Sequence, residues 1–170
     1  MTQMTRNEAA DFLRAGDNYL ILTHRRPDGD TLGSAAVLCR MLRAMGKTAH
    51  ILENPEISPK YRKLHRGLTV AAAGENDTVI TVDVASTNLF PDSFRLLQDR
   101  VSLRIDHHAA AAYAENELVD SGAAACGEIL YDIMQILGLS LDIPTALRCI
   151  PPCPRIRAAS ATPTPTPTAF

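Results

Sequence analysis

The sequence predicts an α/β domain, an open and mainly parallel sheet with helices on both faces. Two observations carry that prediction. Short apolar, β-favouring runs ("NYLILT", "TAHIL", "DTVITVD", "VSLRID") alternate with segments whose apolar residues recur at the helical period, which is the pattern of βαβ units joined by right-handed crossovers. The length of 170 residues, 46% of them hydrophobic, suits one compact domain with a real core.

Taken in order, Thr5 and Glu8 form a capping-box pattern ahead of Ala9, Phe12 and Leu13, so a short first helix ends at Gly16. "NYLILT" is then a buried strand that delivers the chain to His24. From Thr31 to Met45, Leu32, Ala35, Ala36, Leu38, Cys39, Leu42 and Met45 recur at helical spacing, and Gly46 supplies a left-handed stop. "TAHIL" reads as a second strand, "YRKLHRGL" as a short basic helix or turn, "DTVITVD" and "VSLRID" as third and fourth strands. Gly127 to Leu137 places Ile129, Leu130, Ile133, Met134 and Leu137 on one helical face and stops at Gly138, and "PTALRCI" leads into one more helix or strand. No internal repeat is found.

Composition narrows the function. A formal net charge of -2 excludes an overall positive field that would hold long nucleic acid by counterion release, but leaves room for a small anion gripped locally. The N-terminal stretch lacks a basic region followed by a long apolar core, and no apolar run approaches a membrane span, so a cytoplasmic location is expected. Cys39, Cys126, Cys149 and Cys153 form no paired CxxC units, and Cys39 and Cys126 sit in apolar helical patterns, as buried free thiols do.

The polar residues cluster at strand ends. The first strand delivers His24, with Asp28 and Asp30 beyond it in "THRRPDGDTLGS"; the third ends at Asp83; the fourth ends at Asp106, His107 and His108. The carboxyl ends of strands in an open parallel sheet share one edge, where ligands bind, so these residues are expected to converge. Crowded carboxylates need a compensating cation, and carboxylate with imidazole is a ligand set for manganese, zinc or iron. Each piece alone has an ordinary reading: Asp-Gly-Asp is common turn chemistry, paired histidines end many strands, and Asp83 would serve as a loop cap. Their joint placement at three strand ends favours a metal cradle. His50 reads as structural, and His65, beside Lys63 and Arg66, as part of a solvated face.

At these positions "HRRPDGDTLGS", "VITVDVAS" and "RIDHH" resemble the first three motifs of the DHH phosphoesterases, and "GAAACGEILYDIM" is similar to the helix that follows. The resemblance spans about residues 5 to 147. Within the family it leans toward the RecJ-like branch of bifunctional oligoribonucleases and 3'-phosphoadenosine-5'-phosphate (pAp) phosphatases. It implies two manganese ions, with His24 and Asp28 on one, Asp30 and His107 on the other, and Asp83 as the bridge. It further implies a bridging hydroxide as nucleophile, Asp106 orienting the histidines, and His108 on the scissile phosphate, which makes His108, Asp83 and Asp106 the catalytic group. Arg25, Arg26 and Ser34 join His108 as expected substrate contacts, the last because a helix N-terminus favours an anion. The expected partner is a small phosphorylated nucleotide or short single-stranded RNA, and a homodimer is a further expectation. A manganese-dependent inorganic pyrophosphatase and a non-catalytic remnant that binds metal or nucleotide stay open as alternatives.

The pattern changes after Leu147, where "RCIPPCPRIRAASATPTPTPTAF" has no Asp, Glu or Gly. The expectation is a partial DHH domain over residues 1–147 and a disordered, low-complexity tail over 148–170. An Asp-Thr-Gly-like fourth motif and a C-terminal substrate-binding domain, both implied by the resemblance, are missing from this text, as a truncated gene or shifted frame would produce.

Overall fold

A computed structural model describes residues 1–140; the tail over 148–170, with Cys149 and Cys153, and the "PTALRCI" segment lie outside the described residues. A parallel sheet of seven strands forms the centre. In chain order its strands and helices are β1 (Thr2–Gln3), α1 (Arg6–Ala15), β2 (Tyr19–Leu22), α2 (Gly29–Ala44), β3 (Ala49–Leu52), β4 (Thr69–Val70), β5 (Thr78–Val82), β6 (Val101–Asp106), β7 (Asn116–Val119) and α3 (Cys126–Ile136). The strands lie in the order β1-β7-β6-β5-β2-β3-β4, every pair parallel.

The order has a switch point. From β2 the chain runs outward to β3 and β4, then returns to place β5 on the other side of β2. At such a point the connections leave in opposite directions and open a crevice beyond the carboxyl ends of the two strands.

Alternation along each strand divides the core into two layers. Tyr19, Ile21, Ile80, Val82, Leu103, Ile105 and Leu118 pack with all three α-helices, whereas Leu20, Leu22, Val79 and Val101 pack with Phe90, Phe94 and Leu97 on the opposite face. That second face is covered by 3-10 segments, Thr87–Leu89 and Asp92–Arg100. The β5–β6 register shifts so that Val79 faces Val101 and Ile80 faces Leu103. The extra residue, Ser102, lets Val101 and Leu103 point to different faces and sets Arg104 and Asp106 on the second one.

The capping box at Thr5 forms as expected, with Thr5 Oγ1 accepting the Glu8 amide and Glu8 accepting the Thr5 amide. Helix α2 begins two residues earlier than the sequence pattern indicates, because Asp28 is its N-cap and accepts the N–H groups of Asp30 and Thr31 at 2.9 and 3.2 Å. Asp30 therefore belongs to a helical first turn and not to a free loop. Strands β1, β4 and β7 were not legible, being two to four residues long and carrying at most two apolar residues each. His65 also departs from expectation. It is buried, its Nε2 lies 2.9 Å from the Leu32 carbonyl oxygen, and its Nδ1 has no hydrogen-bond partner. The Pro59–His65 segment folds against α2, so the basic run presents Lys60, Arg62, Lys63 and Arg66 outward and turns His65 in.

Candidate metal centre

Three neighbouring strands bring the ligand-type residues together. In the order β6-β5-β2, Asp83 follows the middle strand, His24 follows β2 two residues on, and Asp106, His107 and His108 end or follow β6. The Asp83 carboxylate thus stands between groups from either side. Its Oδ2 lies 4.0 Å from His24 Nε2, and its Oδ1 lies 3.5 Å from His107 Nε2 and 3.4 Å from His108 Nδ1. Its backbone adopts φ 59°, a left-handed conformation rare outside glycine and costly unless the surroundings enforce it.

Asp83 belongs to all three groups of side chains whose donor atoms lie within 4.8 Å of one another among the described residues: with His107 and His108, with His24 and Asp28, and with Asp30 and Cys126. Burial, together with the nearby charges of Asp30, Asp106 and Asp28, pushes its carboxyl up to about 6, although a hydrogen bond from Thr31 works in the opposite direction. That bond, Thr31 Oγ1 to Asp83 Oδ2 at 2.6 Å, orients the carboxylate.

The histidines are presented by their outer nitrogens. His24 Nδ1 lies 2.7 Å from the Arg25 carbonyl and His107 Nδ1 lies 3.3 Å from the Ala123 carbonyl, while the Nε2 atoms face the carboxylates. A backbone carbonyl on Nδ1 fixes the ring and leaves Nε2 as the ligating atom, a recurrent arrangement at metal sites. Asn54, at the end of β3, holds the turn after β2 by donating to the Thr23 hydroxyl and the His24 carbonyl at 3.0 and 2.9 Å.

Asp30 is held by another helix. Its Oδ2 accepts the Cys126 amide at 3.0 Å, its Oδ1 lies 3.4 Å from the Gly127 amide nitrogen and 3.1 Å from Ser34 Oγ, and Oδ2 lies 3.6 Å from His107 Nε2. The N-terminus of α3, whose own cap residue is Ala125, gains a carboxylate acceptor there for its first amides. Ser34, expected to touch substrate, is fully buried with its hydroxyl on Asp30; the first turn of α2 points it into the protein and not the cleft. Cys126 is a buried free thiol, and burial with the Asp83, Asp30 and Asp106 charges holds it well above the usual thiol range, so it remains neutral.

Carboxylate oxygens with imidazole Nε2 atoms suit a divalent cation of the manganese, zinc or iron kind, and a cation at Asp83 would offset the burial and repulsion that raise its carboxyl. Beside these residues opens a cleft of about 700 Å³ lined by His24, Arg25, Arg26, Asp28, Asp83, Ala85, Leu89 and His108. Arg25 and Arg26 are exposed on its wall. His108 is half exposed, with its Nδ1 and amide both 2.9 Å from Asp106 Oδ1.

Sequence reasoning passed over several residues that build the site: Thr31, Asn54, Arg104, Glu117 and the Cys126 amide. Thr31 stands inside the quoted motif and was within reach of such reasoning; the others act from elements whose approach only folding creates.

Known proteins resemble this chain in sequence and in fold. Residues 18–150 match the DHH family, N-terminal domain. The bifunctional oligoribonuclease and PAP phosphatase NrnA of Thermus thermophilus is 29% identical over 145 residues, covering 76% of this chain and 40% of that protein. The chain therefore spans well under half the length of this relative. The crystal structure of an exopolyphosphatase-related protein from Bacteroides fragilis superposes with a TM-score of 0.56 at 17% identity, over 85% of this chain and 45% of that one, a likeness of fold. The crystal structure of exonuclease RecJ bound to manganese gives 0.49 at 19% identity, over 82% of this chain and 40% of that one.

Proposed function

We propose, from the premise that this chain belongs to the DHH family, that it is a metal-dependent phosphoesterase acting on short oligoribonucleotides or nucleoside 3',5'-bisphosphates. The observation that carries the reading is the sharing of Asp83 among three groups of ligand atoms at the switch point of the sheet. His24 and Asp28 would hold one divalent cation, Asp30 and His107 a second, and Asp83 both, with manganese the preferred ion. When bound, such a pair activates a water and neutralises charge on phosphoryl oxygens.

The residues of the chain supply the remainder. Thr31 and the strained backbone fix Asp83; the amides of α3 and the Ser34 hydroxyl fix Asp30; backbone carbonyls fix the two imidazoles. Such rigidity spares reorganisation when charge develops on the phosphate. His108, held by Asp106, faces the cleft, where its imidazolium form would donate to a phosphate oxygen, and Arg25 and Arg26 offer guanidinium groups at the rim. The relative that acts as an oligoribonuclease and PAP phosphatase supports the choice of substrates.

The test is a manganese titration of the purified chain with short oligoribonucleotides, 3'-phosphoadenosine-5'-phosphate and pyrophosphate, reading mononucleotide and inorganic phosphate. Manganese-dependent release from the first two, lost in Asp83→Asn, is the expected result. Release from pyrophosphate alone overturns the substrate class, and manganese binding with no release from any of the three overturns catalysis.

A further inference from the structure

We propose that Arg104 is a positioning residue, which acts through Asp106 to hold the His108 imidazole with its proton on Nδ1 and its Nε2 left for the cleft. The role of His108 on the phosphate rests on the function proposed above; the arrangement that holds it is carried by geometry alone.

Arg104 is completely buried, as is Asp106, and Glu117 is nearly so. Its Nε and Nη2 donate to Asp106 Oδ2 at 3.1 and 2.9 Å, its Nη1 donates to Glu117 Oε2 at 3.2 Å, and Nη2 also donates to the His108 carbonyl at 2.9 Å. The free oxygen of Asp106 then accepts both the amide and Nδ1 of His108. One guanidinium thus grips the backbone of His108 and the carboxylate that orients its ring. Through Glu117, whose Oε1 accepts the Tyr113 and Ala114 amides at 2.8 Å each, it also fixes the far end of the loop that begins at His108. Tyr113 closes the arrangement, its ring 5.2 Å from the guanidinium carbon and its hydroxyl donating to the Val84 carbonyl, one residue beyond Asp83.

A buried ion network is a poor means of gaining stability, since apolar residues of the same volume often do as well or better. What it supplies is direction. Two N–H groups converging on Oδ2 hold the carboxylate and leave Oδ1 to His108, and an Nδ1–H bonded to Asp106 places the ring proton on that nitrogen, an assignment that a hydrogen-bond partner dictates. Residues that orient a functional group from behind typically cost about 10- to 100-fold when altered.

The experiment uses the full chain. Nitrogen-15 NMR of the metal-free protein reads the His108 tautomer, and kcat, KM, manganese affinity and melting temperature are measured for Arg104→Lys, for the charge-balanced Arg104→Gln/Glu117→Gln, and for Tyr19→Phe. The last loses a buried hydroxyl that reaches the Phe12 and Leu13 carbonyls far from the cleft. The expected results are an Nδ1–H signal for His108 in the wild type, loss of that preference in Arg104→Lys, and a kcat lower by about 10- to 100-fold with KM and manganese affinity within about twofold. Tyr19→Phe should lower the melting temperature and leave kcat unchanged. Should Arg104→Lys fail to fold, the double variant gives the same readings. An Nε2–H tautomer in the wild type, or a kcat loss in the Arg104 variants no larger than that of Tyr19→Phe, overturns the proposal. The NMR result stands even if no phosphoesterase activity is found, so the two failures are distinguishable.

Discussion

The carboxylate of Asp30, in the first turn of α2, accepts the backbone N–H of Cys126 at 3.0 Å across 96 positions of sequence, so one helix supplies the cap of another. An aspartate that faces His107 on one side thereby secures α3 on the other.

Asp30 should accordingly separate into two functions on substitution. Asp30→Asn keeps an acceptor for the α3 amides but loses the charge, so unfolding stability without metal should stay within about 1 kcal/mol of wild type while manganese affinity falls about tenfold or more. Asp30→Ala removes the acceptor too and should cost about 1–2 kcal/mol more. Urea titration of the metal-free variants, with parallel manganese calorimetry, decides whether cap and ligand are separable; equal stabilities of the two variants would remove the capping role.

Asp83→Ala should abolish manganese-dependent phosphoester hydrolysis, because this carboxylate is common to the three ligand groups found among the described residues. Arg95→Ala, on an exposed 3-10 segment, should leave the rate within about twofold. Equal losses at unchanged stability would show that the wrong residues have been assigned.

Manganese affinity should depend on pH through Asp83. Its carboxyl lies at about 6, above the usual value near 4, so below about pH 6 the proton competes with the cation and apparent affinity should fall about tenfold per pH unit. In the metal-free protein the sign for stability is reversed: the folded state holds this proton where the unfolded state has lost it, so the Asp83 contribution rises as pH falls from about 6 toward 4. Calorimetric titrations between pH 5 and 7.5 test the first statement, and a pH-independent affinity would contradict it.

His65 should respond oppositely. Burial lowers its proton affinity, so below about pH 6.5 the unfolded chain takes up a proton that the folded protein resists. Stability should therefore fall with acidification, by at most about 1.4 kcal/mol per pH unit from this group. Subtracting the pH profile of His65→Gln from that of the wild type isolates the effect, and a flat difference would exclude it.

Much of the site is written locally. His24, Asp28, Asp30, Asp83, Asp106, His107 and His108 all follow or end strands that the apolar runs announce, and strand ends in a parallel sheet share an edge whatever the strand order. The capping box at Thr5 and the helical face of Ile129, Leu130, Ile133 and Met134 are likewise properties of short spacing, set by a 3.6-residue turn. What local spacing does not contain is which strands become neighbours. Strand β5 lies between β2 and β6 because the chain reverses its direction of travel across the sheet, and that order alone places Asp83 between His24 and His107. The same reason hid Arg104, Glu117 and His65. A charged side chain in a short strand, or a histidine in a basic run, reads as solvated until its partners arrive from elsewhere. The register shift at Ser102, the carbonyl of Leu32 and the carboxylates of Asp106 and Glu117 supply those partners only once the layers have packed, because desolvating a charge or an imidazole is tolerable only where hydrogen bonds replace water.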